Sequence, residues 1–149
     1  MKPVKTWVLI ADGARARILQ NEGPGRGLQA VDGLEFDSDH AATHEIVDDR
    51  QGRTHASVGY GRSAIEAHSD PHRELKARFA TRLADELDQG LAARSYDRLV
   101  IVAAPVTLGD LRKAISDHVR KKVVGEVALD LTKTPNGDVA HHLKDVLNA

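Results

Sequence analysis

Trp7-Val8-Leu9-Ile10-Ala11-Asp12-Gly13-Ala14-Arg15-Ala16-Arg17-Ile18-Leu19 is the stretch that decides the fold of this chain. Its opening apolar run stops at Asp12-Gly13, a turn signal, and predicts a strand buried on both faces. Beyond the turn, small or apolar residues alternate with arginine, so the segment is expected to pair back as a hairpin strand. Asn21-Glu22-Gly23-Pro24-Gly25-Arg26-Gly27 reads as a loop. Leu28, Ala30, Leu34 and Phe36 share one parity and predict a third, edge-like strand, with Asp32 as the misfit.

Downstream, Asp70-Pro71 is expected to open a helix, with Asp70 as N-cap and Pro71 at the first helical position. Leu75, Phe79, Leu83, Leu87 and Leu91 recur every four residues, which gives that helix one apolar stripe to lay on a sheet. Leu99-Val100-Ile101-Val102-Ala103-Ala104 reads as a buried strand stopped by Pro105. Thr107 is expected to cap a second helix carrying Leu108, Leu111, Ile115 and Val119. Val123 to Leu131 reads as a fifth strand, and Thr134-Pro135 as the start of a last helix with Val139, Leu143, Val146 and Leu147.

The expected order is β-β-β-α-β-α-β-α: a meander of three strands, to which two later strands add in parallel by right-handed crossovers. A five-stranded mixed sheet with helices on both faces is an α/β fold of ribonuclease-H-like arrangement. The 149 residues suit a single domain over 1–149, with a long irregular loop at about 37–68. Apolar residues make up 41% of the chain but aromatics only 3%, so Leu, Val, Ile and Ala must build the core. The absence of cysteine excludes a disulfide scaffold and thiolate metal sites. The apolar run at the start is too short for a secretory signal, and nothing approaches a membrane span, so a cytoplasmic protein is expected.

The formal net charge is −1, so any case for a polyanionic partner rests on local patches. One such patch is plain. Glu35, Asp37, Asp39, Glu45, Asp48 and Asp49 form a block without Lys or Arg, and a basic Gly-rich segment follows it directly. That segment, Arg50-Gln-Gly-Arg-Thr-His-Ala-Ser-Val-Gly-Tyr-Gly-Arg-Ser63, carries Arg50, Arg53 and Arg62 around Gly59, Tyr60 and Gly61. Arg73 and Lys76 continue the positive charge onto the long helix. Glycines let backbone amides approach a phosphate, guanidinium forks bind it bidentately, and Tyr60 can stack on a base. The eight residues Arg50, Arg53, Gly59, Tyr60, Gly61, Arg62, Arg73 and Lys76 are therefore the candidate nucleic-acid contacts. The competing reading is a solvated loop whose arginines pair with the acidic block.

Catalytic constellations are weaker. Two-metal phosphodiester hydrolysis needs several converging carboxylates. Asp12 ends the first strand, but the fourth strand supplies no acid, and a turn or cap role suits Asp12 better. His40 with His44, and His68 with His72, have ligand-like spacing, yet Pro71 interrupts the second pair and no metal site is expected. Thr54, His55, Ser57 and Ser63 lack a nucleophile elbow, and Gly59-Tyr60-Gly61 matches neither a P-loop nor a dinucleotide fingerprint. No catalytic residue and no cofactor is assigned.

The opening hairpin Trp7 to Ile18, Gly52-Arg53, Gly61-Arg62, Phe79-Ala80, Tyr96-Asp97-Arg98-Leu99-Val100, Ala104-Pro105, Leu108-Gly109-Asp110-Leu111-Arg112 and Asp130-Leu131-Thr132 together resemble the bacterial host attachment proteins, over nearly the whole chain. That family is similar in turn to the ribonuclease-H-like middle domain of archaeal and eukaryotic peptide-chain release factors and Pelota. In release factors, a Gly-Gly-Gln loop ahead of a long helix enters the peptidyl-transferase centre. Gly59 to Ser63 holds the corresponding position, but Gly-Gly-Gln is absent and Gln51 stands apart. The resemblance thus implies a non-catalytic domain that binds RNA, with the ribosome or tRNA as partner. Two alternatives are a surface-associated protein involved in attachment to host cells and a hydrolase of peptidyl-tRNA or a related ester.

Overall fold

The strand predicted from Trp7 forms the centre of a five-stranded mixed sheet, ordered β3-β2-β1-β4-β5. The computed structural model describes residues 3–38 and 71–149. β1 (Thr6–Ala11) pairs antiparallel with β2 (Arg15–Asn21), and β2 pairs antiparallel with β3 (Gln29–Asp37). On its other side β1 is parallel to β4 (Arg98–Ala103), which is parallel to β5 (Val123–Val127). Every residue of β1 is buried, which its continuous apolar run requires.

Side chains alternate across the pleat and divide the core into two layers. On one face Trp7, Leu9, Ala11, Ile18, Leu99 and Ile101 meet the long helix α1 (Pro71–Ala92) and α2 (Pro105–Ala114). The predicted stripe of α1 supplies Phe79, Leu83 and Leu87, with Ala80, Ala84 and Gly90 also buried. On the opposite face Val8, Ile10, Leu19, Val100 and Val102 are covered by Leu131, Val139 and Leu143 from the C-terminal segment.

Several elements depart from the sequence reading. In β3, Ile18 of β2 faces four residues, Val31 to Leu34, between the paired positions Arg17↔Glu35 and Leu19↔Ala30. An odd excess inverts parity, so Leu28 packs on one face of the sheet and Leu34 with Phe36 on the other. Gly33 takes φ +82 within this bulge, a conformation open to glycine at no steric cost. The misfit at Asp32 therefore marks a break in the strand, and the shared parity of its four apolar residues is a coincidence of spacing. β3 also carries Glu35 and Asp37, so the acidic block begins inside regular structure.

Pro105 does not merely stop β4. It occupies the first turn of α2, where its fixed φ suits the helix, and Ala104 replaces Thr107 at the N-cap. α2 ends at Ala114 because Ile115 is extended, and Ser116 then caps a separate short helix, α3 (Asp117–Arg120), by accepting from the Val119 amide. Ile115 and Val119 are buried as the stripe requires, but on two elements. β5 closes at Val127; Leu131 is buried beyond it and Leu129 is exposed. The last helix is reduced to one turn, α4 (Asn136–Val139), and a 3-10 turn (Ala140–Leu143).

Arg17 helps the short C-terminal turns to cover this face. Its guanidinium donates to the carbonyls of Leu131, Thr132 and Thr134 and to the Asn136 side chain, which fastens the segment after β5 onto β2. The Asp70 N-cap and residues 39–68 of the expected loop lie outside the described residues.

Candidate binding surface at the carboxyl ends of the central strands

In open α/β sheets ligands collect outside the carboxyl ends of parallel strands, where the connections diverge. Here Asp12 and Gly13 follow β1, Ala104 and Pro105 follow β4, and the start of α1 returns to the same end. The close approach of α1 is explicit at Gly13. A Cβ there would lie 2.7 Å from Lys76 Cγ and 2.9 Å from Cδ, so the lysine stem occupies the space that any larger residue would need.

Arg73 is tied to α2. It donates through both terminal nitrogens to Asp110, at 2.7 Å to Oδ2 and 2.5 Å to Oδ1, a bidentate fork that fixes one helix against the other. Asp110 is 9% exposed while Arg73 keeps nearly half its side chain in solvent. The Arg73 hydrogen bonds hold the Asp110 carboxyl below the usual carboxylate range; burial opposes the shift, and the charges of Arg73, Lys113 and Lys76 add to it.

Asp12 closes the β1–β2 turn. Its Oδ1 accepts from the amides of Ala14 at 2.7 Å and Arg15 at 2.6 Å, the local bonding that suits Asp to turns. Its Oδ2 lies 3.3 Å from Thr132 Oγ1, and Asp130 Oδ1 lies 2.5 Å from the same hydroxyl. One hydroxyl carries one proton, so Thr132 donates to one carboxylate at a time, and the shorter contact is with Asp130. The Thr132 side chain and amide lower the Asp130 carboxyl against the effect of burial, with Lys133 and Arg15 assisting. Among the described residues no three His, Cys, Asp or Glu side chains are grouped to hold a metal ion.

Of the residues singled out from sequence, Arg73 and Lys76 therefore stand together at the carboxyl end of the sheet, Arg73 engaged by Asp110 and Lys76 laid across the turn after β1. Arg50, Arg53, Gly59, Tyr60, Gly61 and Arg62 lie outside the described residues, as do His40, His44 and His68. Asp110 entered the sequence reading only within the Leu108 to Arg112 stretch that carries the family resemblance, and neither it nor Lys113 was given a role there. An acid set beside Leu108 and Leu111, on the buried side of an amphipathic helix, was the available signal for Asp110.

Among the described residues no helix is long and apolar enough to cross a membrane. No curated protein matches the chain. The model of one family, described as "Protein required for attachment to host cells", matches residues 7–143. That span runs from β1 to the final 3-10 turn and takes in the strand ends, the start of α1 and Asp110, so the chain belongs to this host attachment family.

Proposed function

We propose that the chain is a single binding domain that serves attachment to host cells and makes its contacts at the carboxyl ends of β1 and β4. The family match over residues 7–143 carries this reading. The Arg73–Asp110 fork and the Lys76 stem over Gly13 support the choice of surface, because they give the start of α1 a fixed position. The test is attachment to host cells by a strain lacking the chain, complemented with the native sequence or with the K76M variant, which removes the charge laid over Gly13. Loss on deletion, restored by the native chain and only weakly by the variant, is expected. Undiminished attachment without the chain removes the reading. Cell fractionation adds the location: a surface role requires the chain outside the cytoplasm.

A second reading is favoured by the combination of a three-strand antiparallel meander, two parallel strands added beside β1, and a basic Gly-rich segment ahead of α1. On this reading the sheet is ribonuclease-H-like, and the chain is a cytoplasmic release-factor-like domain that binds the ribosome or tRNA without hydrolysing an ester. Attachment is then an indirect consequence of its action in translation. Co-sedimentation with ribosomes at about 50 and 200 mM salt tests it, since phosphate contacts weaken steeply over that interval. Binding that falls with salt and is reduced in R53A/R62A is the expected result. Binding indifferent to both salt and the two arginines overturns it.

A further inference from the structure

We propose that the chain binds a small apolar monocarboxylate, of the size of benzoate, in a cavity at the amino ends of β1 and β4, with Thr6 and Arg98 holding the carboxylate. Thr6 opens β1, Arg98 opens β4, and the two are register partners on parallel strands. Neighbouring strands lie about 4.8 Å apart, so the two side chains leave the sheet side by side. Their parity is that of Val8 and Val100, which places both on the face covered by the C-terminal segment. A cavity of about 170 Å³ lies there, and both residues line it.

Thr6 is the residue that points to a ligand. It is 2% exposed, and its hydroxyl has no hydrogen-bond partner among the described residues. A buried polar group normally finds a partner, because an unsatisfied one forfeits its hydration. Asn21, buried in the same row, is engaged at both ends of its amide: the nitrogen donates to the Gly27 carbonyl and the oxygen accepts from the Gly23 amide. The Thr6 hydroxyl is left for whatever enters the cavity. Arg98 is exposed, and its guanidinium makes no ion pair or hydrogen bond among the described residues. One hydroxyl donor beside a guanidinium fork is a donor set for a carboxylate.

The remaining walls are largely apolar. Pro24, Val146 and Leu147 line the cavity, and so do Val4 and Val124, which keep 41% and 50% of their surface exposed. The C-terminal wall is fixed to the sheet: a Cβ on Gly125 would lie 2.7 Å from Val146 Cβ, and the Gly27 amide donates to the Ala149 carbonyl. An apolar cavity of about 150 Å³ takes a benzene-sized molecule, so this volume sets the ligand's body at one ring or a short branched chain. The site stands at the opposite end of the sheet from the surface proposed for attachment, and the two readings fail separately.

Calorimetry of the full chain with benzoate, benzamide, acetate and inorganic phosphate, at matched ionic strength, tests it. Saturable binding of benzoate is expected, at least about tenfold tighter than benzamide, which keeps the ring without the charge. Acetate, which keeps the charge without the ring, should also bind more weakly. R98M removes the guanidinium and is expected to lose at least about tenfold in affinity for benzoate. T6V keeps the side-chain shape without the hydroxyl and is expected to lose about five- to tenfold. Without ligand, T6V should melt at a higher temperature than the native chain, since the buried hydroxyl is gone. A merely structural threonine would move affinity and melting temperature in the same direction. No saturable binding of benzoate by the native chain, acetate, benzamide or phosphate bound as tightly as benzoate, or unchanged affinity in T6V or R98M overturns the proposal. A lower melting temperature of T6V, which means that the hydroxyl is already satisfied within the fold, overturns it as well.

Discussion

Gly90 sits in the interior of a 22-residue helix, where glycine costs about 1 kcal/mol relative to alanine. Its neighbours explain why it is there. A Cβ on Gly90 would lie 2.6 Å from two ring atoms of Trp7 and 3.2 Å from Tyr96 Cε1. Neither ring is free to yield. Trp7 stacks on Tyr96 at 4.6 Å between centroids and donates from Nε1 to Gln20, while the Tyr96 hydroxyl donates to the Leu87 carbonyl at 2.7 Å. Burial, with Asp88 nearby, pushes the Tyr96 phenol up to about 12, so it keeps this proton across the ordinary range of pH. Overpacking a well-filled core costs about 1–3 kcal/mol, which exceeds the gain in helix propensity. Gly90→Ala is therefore expected to lower stability by about 1–2 kcal/mol, read as a lower urea midpoint at unchanged slope. A raised midpoint instead means that the Trp7 ring can shift.

Elements whose pattern is fixed by one face were legible in advance. β1 showed itself by an unbroken apolar run and α1 by a four-residue recurrence, because burial on a sheet demands both. β3 was not, since a bulge inverts parity without leaving more trace than Asp32 and Gly33. The break between α2 and α3 was encoded in Ser116-Asp117, a cap that the continuing stripe of Ile115 and Val119 concealed. Arg73 and Lys76 drew attention by charge, but the fork from Arg73 to Asp110 joins residues 37 positions apart, a contact no local pattern announces. That fork has a pH signature. The folded Asp110 carboxyl is depressed below its unfolded value, so its stabilisation is complete above the unfolded value and is lost as pH falls through the lower folded value. Half of Arg73 is in solvent, so screening reduces the effect, and Asp110→Asn is expected to cost about 1–2 kcal/mol near neutrality. Denaturant titrations of native and variant chains should differ at pH 6–7 and converge in strong acid. A difference that persists undiminished at pH 2 means that the fork does not act through ionised Asp110.

Among the described residues the covers of the sheet are unequal. One face is covered by the 22 residues of α1 together with α2, the other by two single turns and the segment that Arg17 fastens. Both edge strands carry register breaks, β3 opposite Ile18 and β5 at Val124 between the pairs Leu99↔Val123 and Val100↔Gly125. Such breaks oppose pairing of an open edge with another chain, so the sheet's stability has to come from its two faces. β1 and β4 serve both: Leu9 and Ile101 belong to one core layer, Ile10 and Val102 to the other. A sheet whose central strands are common to both layers should unfold as one unit although its covers are unequal. Leu83 on α1 and Leu143 in the last turn are each almost fully buried, at 1% and 0% exposure. Truncating either to alanine removes about the same apolar volume and is expected to cost about 2–5 kcal/mol. In urea, Leu83→Ala and Leu143→Ala should both lower the midpoint and keep the native slope, because the slope follows the surface exposed in the common transition. A shallower or two-step transition for Leu143→Ala alone means that the C-terminal cover detaches before the sheet. Arg17 is a main polar tie of that cover among the described residues, and Arg17→Met should give the same two-step curve.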